Sequence, residues 1–266
     1  MIRTSVVLLA LVPALASAQL TFPGGNIAPG TTWGLPGISQ TVTLNGDVTI
    51  PAGVTLTVLA GTTITAAATD NIMRAGGTSL VDVFVEGTLT VQESAGQTTT
   101  FTGPSTGRST WGGLIVTGGA SLQAGSTQFQ RMSQGIRVVA GMAPTTVTLN
   151  NSTLQNTTGC LSFTGAGTPP TATLSNVTLA GCTNSAVSVS AGTVTMTSSV
   201  VRDTTGSDGA IKLTGGTISV DRSTVSYNAY HGVLADCGAG SINVTNSIIS
   251  HNGSTGLRRY TFCSAP

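Results

Sequence analysis

Asp203, Tyr227 and His251 recur at intervals of 24 residues, an acid, a phenol and an imidazole at matched places in the chain. Side chains of these types can hold a sugar through hydrogen bonds and ring contact, or move a proton. Arg131, Asn156 and Gly181 stand at the equivalent places earlier. Cutting a glycosidic bond calls for a second carboxylate near the first. The other acids, Asp47, Asp70, Asp82, Glu86, Glu93, Asp208, Asp221 and Asp236, are scattered singly, and Asp221 belongs to a different column from Asp203. The same row of Asn, Asp and Tyr at a turn also reads as a capping ladder that satisfies backbone groups. If it meets a ligand, the expected contact is Tyr227 against a saccharide, with hydrogen bonds from Asp203 and His251.

A second set of residues is more regular. Thr146 and Thr148, Thr171 and Thr173, and Thr193 and Thr195 form T-x-T pairs, continued by Thr217 and Ser219, then Ser241 and Asn243. Similar pairs occur at Thr41/Thr43, Thr55/Thr57, Thr63/Thr65 and Thr88/Thr90. On adjacent strands such pairs make a flat grid of hydroxyls, about 7 Å apart along a strand and about 4.8 Å between strands. That grid resembles the ice-facing surface of β-solenoid antifreeze proteins. It is equally what β-branched, uncharged strand residues provide as a soluble wall.

The remaining candidates are plainer. Arg137, Ser162, Ser188, Lys212 and Leu234 form another outward column, whose two cations lie three repeats apart and read as solvated charges. Asn151, Asn156, Asn176, Asn228, Asn246 and Asn252 sit near turns, where Asn tolerates left-handed backbone. Asn176 and Asn243 open N-x-S/T sequons, which carry glycans only in a eukaryotic secretory route.

The elements that position these residues follow from a repeat of 22 to 25 residues, with rungs beginning at Trp111, Gly135, Cys160, Ser185, Ala210 and Gly232. Each rung offers three short stretches of alternating apolar and polar residues, the pattern of half-buried strands. One inward column reads Leu114, Ile136, Leu161, Val187, Ile211, Val233. The next reads Val116, Val138, Phe163, Val189, Leu213, Ala235. A column through the second strand is expected to run Leu122, Leu149, Leu174, Met196, Val220, Val244. The third strand supplies Phe129, Leu154, Leu179, Val201, Val225, Ile249. Stacked rungs give every strand a partner above and below and bury like upon like.

This pattern resembles the right-handed parallel β-helix of the pectin-lyase-like superfamily and its parallel-β-helix-repeat relatives, over about 41–252. Upstream, TVTLNGDVTIPAGVTLTVLAGTTIT and VFVEGTLTV resemble the opening rungs of exported bacterial β-helices. The resemblance implies an all-β solenoid with three short strands per rung. It implies no single activity, because lyases, hydrolases and adhesins share the scaffold.

The expected organisation is a signal peptide over 1–18, with Arg3, an apolar run and Ala16-Ser17-Ala18 before the cut. A cover follows over 19–40, then one β-helix domain over 41–256 and a disulfide-stapled tail over 257–266. Exposed strand edges at the two ends make such covers desirable. In an exported chain four cysteines read as two disulfides, Cys160 with Cys182 across one rung and Cys237 with Cys263 near the end. Without Arg3 the nine cations balance nine acids, so nothing gathers phosphate, and nucleic acid is not an expected partner. No later apolar run is long enough to span a bilayer.

The function these features favour is a secreted or cell-surface, non-enzymatic module that contacts an extracellular polysaccharide or cell-surface glycan along one outward face. The alternatives are a polysaccharide lyase or hydrolase, the one case in which calcium would be expected as a cofactor, and an ice-binding Thr array.

Overall fold

The computed structural model describes residues 18–74, 79–236 and 240–260. Within them the chain winds into a solenoid of parallel strands in three sheets, here called A, B and C. Sheets A and B have ten strands and sheet C has nine. Every strand pairs in parallel with the equivalent strand of the next rung. The strands run only two to eight residues because each must turn a corner after crossing its side of a narrow interior.

The expected columns of sheets A and B are present in register. Leu114 faces Ile136 and so on to Val233, and Phe129 faces Leu154 and so on to Ile249. In sheet C one member is displaced. Leu122 pairs with Val147, and Ala124 is the partner of Leu149. The column beneath Leu149, Leu174 and Met196 therefore contains a small alanine, while Leu122 belongs with Val147, Ala172 and Val194.

The ends also differ from expectation. The segment foreseen as an N-terminal cover forms strands Ala18–Phe22, Gly25–Asn26 and Thr32–Trp33, each paired with the next rung, so it is itself a rung. Ile27 and Trp33 are buried there, and Phe22 lies 5.6 Å from Trp33. At the other end Leu257–Arg259, within the span expected as a disulfide-stapled tail, pairs with Val233 to Ala235 as a further strand of sheet B. The proposed leader, apart from Ala18, lies outside the described residues, as do Cys237, Cys263 and the pair Gly76-Gly77.

Two longer stretches lie outside the strands of the solenoid: the described residues 67–74 and 79–81, and 103–110. Both depart from the corner between sheets A and B. Among the described residues the turns that flank sheet C are shorter.

Cys160 and Cys182 are disulfide-bonded and fully buried, so one rung is covalently closed. None of the described residues forms a helix long and apolar enough to cross a membrane.

Candidate functional site

The corner from sheet A to sheet B turns through one left-handed residue per rung: Arg131, Asn156, Gly181, Asp203, Tyr227 and His251, with φ from 51° to 64°. Left-handed backbone is strained for bulky side chains, and it persists because the ladders on either side fix it. The N–H of Asn156 donates to Ala180 O at 3.2 Å, that of Gly181 to Arg202 O, and that of Asp203 to Tyr227 O. This column is thus a backbone ladder, whatever else its side chains do.

The excursion 103–110 folds along the first half of this column. Arg108 donates to the Gly181 carbonyl at 2.9 Å, and the Ser109 and Thr158 hydroxyls are 2.6 Å apart. Asp203, Tyr227 and His251 remain uncovered and border a shallow concavity of about 680 Å³, together with Asn228 and Asn252. The structure brings the three side chains together, with a different division of labour from the one expected. The Tyr227 ring is 62% exposed and stacks on His251, centroids 5.0 Å apart and planes 16° apart, so one ring face is already occupied. Asp203 is ion-paired with its neighbour Arg202. Asn228, fully buried, accepts from Thr204 N and donates to Asn252, forming an internal amide ladder behind the concavity.

A second groove of similar volume lies on the other flank of the same corner, on the outer face of sheet B. Its floor is the column Arg137, Ser162, Ser188, Lys212, which the pairing places on successive rungs. Gln134, Asn184 and Ser207 are among the residues of its wall, and its volume is about 650 Å³. Three rung spacings separate the two cations by about 14 Å. The serines leave a trough because larger residues close the same column at both ends: Phe84 and Ile115 before Arg137, and Leu234 after Lys212, are all buried. Phe84 is covered by the Arg74 guanidinium, 4.4 Å above its ring, which also pairs with Glu86.

The cations in this groove are not simply solvated, contrary to expectation. Lys212 donates to Asp208 at 2.9 Å and lies 3.5 Å from Asp236. The hydrogen bond to Asp208, opposed by partial burial, holds the Lys212 pKa above the ordinary lysine range. The Nε of Arg137 is buried and has no hydrogen-bond partner in the protein. Buried donors are nearly always paired, so an orphan at the edge of a polar trough is an invitation to an acceptor. Sequence reasoning passed over this site because its cations are 75 residues apart. The available signal was the run of small serines between them.

Near the N-terminal end three aspartates that look isolated in sequence converge. The buried Asp47 carboxylate accepts from the N–H groups of Arg74 at 2.8 Å and Asp82 at 2.7 Å, while Asp70 Oδ1 accepts from Asp47 N. Burial is the main reason that the Asp47 pKa rises to about 6, with the Asp70 and Asp82 charges adding to it against the two backbone hydrogen bonds. A carboxyl that is harder to ionise when folded contributes stability that is complete below pH about 4 and lost as pH rises through about 6. That contribution is on the order of 3 kcal/mol. Urea midpoints compared between wild type and Asp47→Asn should therefore converge or cross between pH 4 and 7, wild type gaining relative stability at the acid end. A constant difference across that range would sink the assignment.

Sheet C carries the Thr grid as expected: Thr146, Thr171 and Thr193 align, as do Thr148, Thr173 and Thr195. Thr55/Thr57 and Thr88/Thr90 extend it through Ser121 and Gln123, whereas Thr41/Thr43 and Thr63/Thr65 belong to sheet A. No group of His, Cys, Asp and Glu among the described residues is arranged to hold a metal ion.

Residues 134–264 match the family model described as right handed beta helix region. No curated protein and no solved structure matches the chain.

Proposed function

This chain is a right-handed parallel β-helix, and on that premise we propose that it is an exported, non-enzymatic module that holds an extended polysaccharide along the sheet B groove. The observation that carries this reading is the unpartnered Arg137 Nε at one end of a trough floored by Ser162 and Ser188. A linear glycan presents ring and hydroxyl oxygens at every unit, so it can supply the missing acceptor and meet the serine, Gln134 and Asn184 side chains as it runs across the rungs. The concavity at Tyr227 and His251 lies across the same turn and offers a second point of contact for a bulky polymer.

Support for holding rather than cutting comes from the charges. Asp208 and Asp236 face Lys212, and Asp203 faces Arg202, so each carboxylate around the groove has a cation to neutralise. Lys212, held protonated by Asp208, is poorly suited to abstract a proton.

The test is to incubate the purified protein with plant, algal and bacterial polysaccharides, with and without calcium, scoring retention and new chain ends separately. Retention without new ends is expected, and Arg137→Ala should weaken it about tenfold, the scale of one hydrogen bond to a charged group. New chain ends that disappear in Asp203→Asn would replace this reading with an enzyme.

A second reading, ice binding, draws on one observation: the hydroxyl grid of sheet C extends from Thr55 to Asn243 with no charged residue at the first two outward positions of its strands, Asp221 standing at the third. It requires thermal hysteresis that is abolished when Thr148, Thr173 and Thr195 are replaced by Lys. Ice growing at the normal freezing point in wild-type protein ends it.

A further inference from the structure

His231, one of two histidines in the chain, lines neither the groove nor the concavity. It opens the strand His231–Ala235 of sheet B, just after the corner from sheet A, and its side chain is fully buried. The residue paired with it on the preceding rung is Gly209, which has no side chain to compete with the ring for the inside of the corner. Tyr230 packs against it, ring centroids 4.2 Å apart. His251, the other histidine, is exposed.

The two ring nitrogens of His231 are used unequally. Nδ1 accepts from the backbone N–H of Thr255 at 3.3 Å and lies 2.6 Å from the Thr255 hydroxyl. A backbone N–H can only donate, so Nδ1 is the bare nitrogen and Nε2 carries the proton. Nε2 is itself buried, with no hydrogen-bond partner among the described residues. The ring is thus a neutral acceptor that fastens one point of the turn over 253–256. Backbone groups fasten others: Gly253 N donates to Asn228 O, Ser254 N to Tyr230 O, Gly232 N to Thr255 O and Val233 N to Gly256 O. Asn252 and Gly253, at the start of this turn, border the concavity at Tyr227.

A second proton on the ring has to enter at Nδ1. There it removes the acceptor of the Thr255 N–H, sets two N–H groups against each other and places a positive charge in a site closed to water. The titratable and charged groups around the ring are Tyr230 beside it, Asp208 on the preceding rung, whose carbonyl accepts from His231 N, and Arg258 on the following strand. Burial, with the Arg258 charge adding to it, lowers the His231 pKa from the ordinary histidine value, while Asp208 and the Thr255 backbone act in the other direction. Stability that depends on a lowered histidine is complete above about pH 6.5 and is lost as pH falls through the folded value. The Asp47 carboxyl, near the N-terminal end, acts with the opposite sign.

We propose that His231 is an acid-sensitive clasp: its neutral ring fastens the turn 253–256 to the preceding rung, and a second proton unfastens that turn together with the wall it gives to the Tyr227 concavity. The clasp works in the same way whatever the concavity holds.

Hydrogen exchange of the whole protein, read by mass spectrometry at pH 7 and pH 5 and corrected for the intrinsic rates, measures it. Between the two, protection over residues 253–259 should fall about tenfold more than over the sheet C strands of the middle rungs, the scale of one buried hydrogen bond. His231→Asn places an amide oxygen where Nδ1 stood and takes up no proton, so its protection there should be equal at both pH values. His251→Asn removes the exposed histidine and should keep the wild-type fall. Ring nitrogen NMR of the wild type supplies a reading that needs no variant: His231 should carry its single proton on Nε2 at pH 7 and gain the second below pH 6.5, as protection over 253–259 is lost. Protection in the wild type that is equal at the two pH values overturns the proposal, as does a fall that persists in His231→Asn or a His231 ring already doubly protonated at pH 7.

Discussion

Replacing Phe129 by alanine should lower the free energy of unfolding by about 3–5 kcal/mol. Phe129 is fully buried in sheet A, and its ring stacks on Phe101 of the preceding rung with centroids 5.1 Å apart. Leu154 lies against it from the rung above. In a globular core, neighbours relax part-way into the space left by a lost side chain. Here the backbones on both sides are pinned at the rung spacing by ladders, so the void persists and the cost falls at the upper part of the usual range. Urea denaturation measures it. Gln128→Ala, on the outward side of the same strand, serves as the control and should change stability by less than about 0.5 kcal/mol. If the two variants differ by less than about 1 kcal/mol, the tight stacking described for this column is wrong.

Removing the disulfide should cost about 3 kcal/mol. Cys160 and Cys182 are 22 residues apart and close a single rung. The effect comes chiefly from the unfolded chain, which regains the conformations that a closed loop of this length denies it. A Cys160→Ala, Cys182→Ala variant isolates that effect from the chemistry of free thiols. Its denaturation midpoint should fall well below that of the oxidised protein, and a midpoint within error of it would show that the crosslink constrains nothing. Because both cysteines are buried, reductant added to the folded protein should act slowly.

The architecture could be read from the chain because strand alternation and the rung period reinforce each other at many positions. Leu161, Val187 and Ile211 could be aligned without a structure because each is followed by a polar residue and recurs at nearly constant spacing. The reading slipped where the apolar signal was weak. Ala124 is too small to stand out as an inward residue, so Leu122 was drawn into its place in the column. The terminal rungs were missed for a related reason. With Pro and Gly around them, Phe22 and Trp33 lack the repeating context that marks a strand, and only the pairing of Thr32–Trp33 with Thr57 and Val58 reveals one.

The candidate site was less legible. The alignment of Asp203, Tyr227 and His251 followed from the period, but the left-handed turn common to them and the stacking of Tyr227 on His251 did not. The sheet B groove depends on what surrounds its column. Arg137 and Lys212 become ends of one trough only once Ile115 and Leu234 are seen to be buried on either side of them. Asp47, Asp70 and Asp82 likewise meet only because residues 67–72 lie along the corner of the preceding rung, a contact that no local pattern encodes.

Tension applied along the axis meets the closed rung as a mechanical stop. A solenoid pulled from one end peels rung by rung, each releasing its length as its three strands leave their neighbours. The rung bounded by Cys160 and Cys182 can detach, but it cannot unravel, because its 22-residue span is a covalent hoop. At about 3.5 Å per extended residue, that hoop withholds roughly 75 Å of chain from the stretch. A load carried through this molecule would therefore give first on one side of the hoop, then on the other, with a step between them that appears only in the oxidised protein.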